Sequence, residues 1–183
     1  MVAPGQNILL IAEPFLKDPN FARTVVYLCR HSEEGSFGFV LNKPFEYTLD
    51  ELIQGFEGTH IPVYTGGPVQ PDMVHYIHQY PNLIPGSFAI SNDIHWGGDF
   101  DTVKRLISSG SIDLRKIKFF IGYSGWESGQ LDHEMEEKSW LTVTATRNLV
   151  FDVPPEQVWK SSIEHLGGDY KIMAHFPIDP QLN

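Results

Sequence analysis

Five groupings of residues in this chain have types and spacings from which chemistry could be built. Gly122-Tyr-Ser-Gly-Trp126 has the outline of a nucleophile elbow, in which Ser124 would attack an acyl carbon. That elbow needs a small residue two places after the serine so that its strained turn can pack, and here the position holds Trp126. Ser124-Gly-Trp-Glu127 also spells a capping box, and satisfying helix amides is the expected role of the hydroxyl. A hydrolase would need a histidine as base; His165 and His175 follow in the chain, but nothing in their spacing places either beside Ser124. His133-Glu-Met-Glu-Glu137 has half of a zinc-protease helix signature and lacks the second histidine. The expected reading is an acidic, solvated helix face with Glu134, Glu136 and Glu137 outward. His75 and His78 stand at an odd spacing on an expected strand, so their rings point to opposite faces and cannot share a metal without a bulge. Cys29, the one cysteine, is expected to be a buried, inert thiol. Arg115, Lys116 and Lys118 form a small basic stretch entering a strand, where such residues guard sheet edges.

Some function classes are excluded by pattern. No two glycines are separated by one residue, and no glycine precedes a lysine. The dinucleotide fingerprint and the phosphate loop are therefore both missing. The 183 residues carry 13 Lys and Arg against 23 Asp and Glu, a formal net charge of −10. Such a chain repels phosphate backbones unless its cations gather on one face, so direct nucleic-acid binding is disfavoured. A single cysteine forbids an internal disulfide and suits a reducing compartment. The longest aliphatic run, Ile8 to Ala12, is far too short to span a bilayer, and the first basic residue is Lys17, late for a secretory signal. A cytoplasmic protein of one domain, residues 1–183, is expected; no cofactor and no metal is implied by any motif.

The elements that must position these residues can be read from the same text. Ile8–Ala12 reads as a buried strand, and residues 24–30 and 36–42 as a hairpin stopped by Pro44. Thr48-Leu-Asp-Glu51 is a capping box opening a short helix. Strands follow at 63–65, 73–78 and 87–90. Asp99 caps a helix reaching about Ser109, and Lys116–Tyr123 is the most apolar strand. A helix is expected from about Trp126 to Lys138, then a strand at 140–145 that pairs with 149–151. Pro154-Pro155 opens a last helix, closed by Gly167-Gly168. Frequent strand–strand turns, with helices interspersed irregularly, favour an α+β fold with a mixed sheet.

Three glycine- and amide-bearing segments are harder to explain as packing: Phe37–Pro44, Tyr64–Val69 and Gly122–Leu131. Gly129 falls where a helix interior prefers alanine by roughly 0.8–1 kcal/mol, which suggests close approach of a backbone or ligand. Leu10-Ile-Ala-Glu-Pro14, Asp18-Pro-Asn-Phe21, Arg23-Thr-Val-Val26, Gly38–Pro44, Gly66-Gly-Pro-Val69 and Gly122–Trp126 with Gly129-Gln-Leu131 and Glu134 together resemble the YqgE/AlgH family, nearly end to end. Lys43, where the family often has arginine, and fewer acidic residues after Gln130-Leu131 are departures. The resemblance implies a bacterial cytoplasmic protein with a bifurcated, partly barrel-like sheet surrounded by helices. It also implies a transcriptional-regulator label, drawn from links to exopolysaccharide expression, and no established catalytic residue. The positions that map are Asn42, Pro44, Gly66, Gly67, Pro68, Ser124, Trp126, Gly129, Gln130 and Glu134.

Three readings follow. The first is a non-catalytic regulatory or binding module with a groove for a small ligand or protein partner, Trp126 giving apolar area and Asn42 and Gln130 orientation. The second is a hydrolase using Ser124, and the third a direct DNA-binding regulator. The spatial convergence of Asn42, Gly67, Trp126 and Gln130 is the observation that separates a shared site from separate folding roles.

Overall fold

A computed structural model describes residues 1–177. Nine strands, β1 (Ile8–Ala12), β2 (Val25–Ser32), β3 (Gly35–Val40), β4 (Val63–Thr65), β5 (Val69–His78), β6 (Phe88–Ala89), β7 (His95–Trp96), β8 (Ile117–Glu127) and β9 (Trp140–Thr144), form one sheet. Its order is β6-β7-β5-β8-β3-β2-β1-β9, with β4 parallel to β8 and the other pairings antiparallel. The fold is α+β with a mixed sheet, as the sequence pattern implies. The terminal strands β6 and β9 do not pair with each other, so the sheet is open and its barrel-like character stops short of closure.

The sheet divides along β8. Residues 117–121 lie between β4 and β5, whereas residues 124–127 pair with β3. Each arm carries its own apolar packing. Leu9 and Ile11 of β1 face a layer completed by Val158, Trp159 and Ile163, while Leu10 and Ala12 face Trp126, Leu131 and Trp140. Burial of both faces explains why β1 reads as an unbroken aliphatic run. Beyond β8, Phe119 and Ile121 pack on Leu49, Phe56 and Val103.

Helices α1 (Leu49–Leu52), α2 (Phe100–Ser108), α3 (Gln130–Glu136) and α4 (Pro155–Leu166) flank the sheet. The caps of α1 and α2 are those the sequence specifies. Glu51 accepts from the Thr48 amide at 2.8 Å, and Asp99 from the Thr102 amide at 2.9 Å. Pro155 starts α4, where its missing amide hydrogen costs nothing.

Two elements differ from the sequence reading. No helix begins at Trp126: β8 continues to Glu127, because its end finds a partner in β3, with Ser36 opposite Trp126 and Gly38 opposite Ser124. Tertiary pairing overrides the local capping pattern, and Ser124 caps nothing. Residues 148–152 form a wide helical turn instead of a strand beside β9. An Arg147–Asp152 ion pair at 2.6 Å closes that turn, and Leu149 and Val150 are both buried, which consecutive residues of a one-sided strand would not be. Strand β7 has no counterpart in the sequence pattern, and β5 starts at Val69, four residues before the expected Met73.

Candidate functional site

The split in the sheet requires backbones to pass unusually close, and Gly66 and Gly67 make this possible. The Gly66 amide donates to the Ile121 carbonyl at 2.8 Å, while its own carbonyl accepts from the Val40 amide at 2.8 Å and the Ser124 hydroxyl at 3.0 Å. A Cβ on Gly67, at φ +155°, would lie 2.3 Å from the Tyr123 carbonyl. Ser124 is wholly buried here, and its hydroxyl ties the chain crossing together. That geometry offers no accessible nucleophile.

Asn42 acts elsewhere. Its Oδ1 accepts from the Val25 amide at 2.9 Å and its Nδ2 donates to the Arg23 carbonyl at 2.9 Å, so the side chain stands in for a ladder partner beside β2. Pro44 forms a bridge to Tyr64, and Pro68 is exposed at the turn into β5. Gly129 is the left-handed residue before α3, at φ 72°, and a Cβ there would meet open space. Its conformation, and no close approach, accounts for the glycine.

Trp126, Gln130 and Glu134 do come together. Glu134 turns inward, against the expectation of a solvated helix face. Its Oε2 accepts from Trp126 Nε1 at 2.9 Å and from Trp140 Nε1 at 2.7 Å, and its Oε1 accepts from Gln130 Nε2 at 3.1 Å. Gln130 in turn accepts the Glu127 amide at 3.0 Å, holding the end of β8. The reason is the pair of indole N–H groups, which need an acceptor in an otherwise apolar layer.

Beside this clamp lies a groove of about 820 Å³. Trp126 and Gln130 line it on one side; Phe37, Phe39, Val69, His75, Trp96 and Tyr123 make the apolar part of its wall. Phe37 meets Trp96 edge-on with centroids 4.9 Å apart, and Phe88 stacks on Trp96 at 5.3 Å. His75 sits between Phe39 and Tyr123, and burial pushes its imidazole below the usual histidine range. Its Nε2 is buried and has no partner among the described residues. The rim is polar: Gln70, Glu127 and an exposed Arg30–Glu34 pair at 3.4 Å. Of the four residues on whose convergence a shared site depends, Trp126 and Gln130 share this groove, while Asn42 and Gly67 do not line it.

Sequence reasoning singles out the segments that hold most of the wall but not their meeting in one groove. Phe37 falls in a segment that stands out for its glycine and amide, and Tyr123 in another. Trp96 gives no signal, because a two-residue strand followed by Gly97-Gly98 has no periodicity to read.

Other groupings take structural places. His133 and Glu137 are exposed, 3.5 Å apart, and no cluster of three or more His, Cys, Asp or Glu able to hold a metal occurs among the described residues. Cys29 is buried in the β2 bulge, which pushes its thiol upward. Arg115 is paired with Asp113 at 2.8 Å and Lys118 is buried, so the basic stretch forms no cationic face.

The pattern of the AlgH-like family matches residues 9–171. The chain belongs to that family. A UPF0301 protein of Chlorobium limicola is 46% identical over 180 residues, spanning 98% of this chain and 95% of its own. Another from Parabacteroides distasonis is 44% identical, spanning 100% and 93%. The solution structure of the AlgH protein from Pseudomonas aeruginosa superposes with a TM-score of 0.76 at 31% identity, covering 97% of both chains. A crystal structure of a Corynebacterium diphtheriae protein shares the fold at TM-score 0.77 and 21% identity, over 96% of this chain and 94% of that one. The bifurcated sheet is thus an AlgH-like architecture. In the described residues no helix is long and apolar enough to cross a membrane.

Proposed function

We propose that this AlgH-like chain is a non-catalytic binding module of the cytoplasm, whose groove beside the end of β8 holds a small ligand with a flat apolar face. One observation carries the reading: six aromatic or imidazole rings from four different strands (Phe37 and Phe39, His75, Trp96, Tyr123 and Trp126) line one recess with a polar rim. Pockets with an apolar wall and a few orienting polar groups are the usual form of small-molecule sites. Gln70, Glu127 and Gln130 supply the polar groups, and the indole of Trp96 supplies a stacking surface. Any part in transcription would run through such a ligand or a protein partner. The paired Arg115 and buried Lys118 speak against a phosphate backbone as the direct partner.

Tryptophan fluorescence and thermal shift against a panel of aromatic heterocycles test this. At least one compound is expected to bind saturably, raise Tm and lose about tenfold or more in affinity with Trp96→Ala. A panel with no saturable binder, or binding indifferent to Trp96→Ala, would overturn the reading.

A further inference from the structure

A second cavity, of about 210 Å³, opens at the other end of β8. Lys118 lines it and is only 8% exposed. Its ammonium nitrogen lies 4.2 Å from the centroid of the Tyr64 ring and donates to the Val150 carbonyl at 3.2 Å. No carboxylate pairs with it among the described residues, which is unusual for a buried lysine. The same cavity is lined by Thr59, whose Oγ1 is buried and has no partner among the described residues. It is also lined by His60 and Arg115, both exposed. Asp113 holds the guanidinium through Nε and Nη2, and Nη1 has no partner among the described residues, so it can meet a ligand.

The geometry points to a covalent capture site, in which Lys118 forms a reversible imine with a small oxo acid whose carboxylate is met by Arg115. The lysine nitrogen attacks the carbonyl carbon and a C–N bond forms. A proton moves from nitrogen to the former carbonyl oxygen. The C–O bond of the carbinolamine then breaks, the hydroxyl leaving as water with the remaining proton from nitrogen, so that a C=N bond forms, and hydrolysis reverses the sequence. Attack needs the neutral amine, and burial lowers the Lys118 ammonium to about 7, so a substantial share is neutral in neutral solution. The Thr59 hydroxyl, without a partner among the described residues, would hydrogen-bond the oxygen that departs. The titratable and charged groups around the amine and its cavity are Tyr64 of β4, His60, Arg115 with its partner Asp113, Asp152 of the 148–152 turn, whose charge is felt at Arg115, and Glu156 of α4, whose charge is felt at Tyr64.

The test uses the full chain with pyruvate and cyanoborohydride, which delivers hydride to the imine carbon and fixes the adduct. Peptide mapping of the unsubstituted protein is expected to place one adduct at Lys118, saturating with pyruvate and forming well before adducts at exposed Lys160 or Lys171. Its yield should follow the titration of an amine near 7 and not that of an ordinary lysine. Lys118→Arg should remove it. Arg115→Gln should raise the half-saturating pyruvate concentration by about tenfold without changing Tm. Adducts confined to exposed lysines, or no adduct, would overturn the site. An unchanged half-saturation in Arg115→Gln would overturn the carboxylate contact. Peptide mapping uses the unsubstituted chain, so it decides for or against the site even where Lys118→Arg fails to fold.

Discussion

Replacing Glu134 by alanine tests the clamp that frames the groove. Trp126 is 5% exposed and Trp140 only 2%, so neither indole N–H can turn to water when the carboxylate is removed. Each buried donor left without an acceptor costs roughly 1–3 kcal/mol. The two donors share one oxygen, so their losses overlap, and the change is expected to destabilise the fold by about 2–5 kcal/mol. With a urea slope of roughly 1–3 kcal/mol per molar, the unfolding midpoint should fall by about 1–2 M. Tryptophan fluorescence in a urea titration reads both the transition and the two indoles themselves. Glu134→Gln is the sharper control. Its carbonyl can accept both indoles, but its amide group then faces Gln130 Nε2, a donor, while Gln130 Oε1 is held by Glu127. That variant should lose about 1–2 kcal/mol, the difference between a charge-assisted acceptor and a neutral one. A Glu134→Ala midpoint within error of the unsubstituted protein would refute the idea that this carboxylate anchors the layer.

Further outcomes follow from the same geometry. Gly67→Ala should prevent stable folding, since the added Cβ would overlap the Tyr123 carbonyl, whereas Gly129→Asn should cost under about 1 kcal/mol, because asparagine tolerates the left-handed region and the space is open; circular dichroism melts compare the two. Stability should fall on acidification. His78 Nδ1 accepts the Tyr80 amide at 3.1 Å while its Nε2–H donates to the Gly97 carbonyl at 2.9 Å, so the first bond needs the neutral ring and the second does not. Burial, the largest cause, holds the folded imidazole below its ordinary 6.5. Its contribution is therefore complete above pH 6.5 and is lost as pH drops through the folded value; urea midpoints in His78→Phe should show a shallower loss over that window. A slope unchanged in that variant would remove His78 as the cause.

What the sequence discloses and conceals follows from the range of the forces involved. The caps at Thr48 and Asp99, the proline start of α4 and the aliphatic run of β1 are local, so they can be read without coordinates. The residues around Ser124 cannot. Locally they satisfy a capping box, and only the approach of β3, far back in the chain, turns them into strand. Glu134 misleads for a similar reason. On a helix bearing Asp132 and Glu136, with Glu137 following, it looks like one more solvated charge, until two indoles from separate strands arrive to claim its oxygen. The groove is the extreme case. Its wall takes rings from four strands spread between residues 37 and 126, so no window of sequence contains it.

The two cavities occupy opposite ends of one strand, and this sets an expectation about their energetics. From Lys118 to Gly125, β8 runs about 23 Å at a rise of roughly 3.3 Å per residue. Sites so separated, with no shared side chain, usually contribute independently, to within about 0.5 kcal/mol. Trp96→Ala should therefore leave pyruvate capture at Lys118 unchanged, and Arg115→Gln should leave groove affinity unchanged. Between them, however, β8 bends through Gly122 at φ 67°, whose position is fixed on one side by the carbonyls of Gly67 and Val69. Coupling would have to pass through that bend, and a rigid bend with a single packing has no second state for a ligand to favour. Measured coupling well above about 0.5 kcal/mol in a double-mutant cycle would mean that the crossing of Gly67 against Tyr123 has two arrangements. In that event the glycines would be hinge residues as well as spacers.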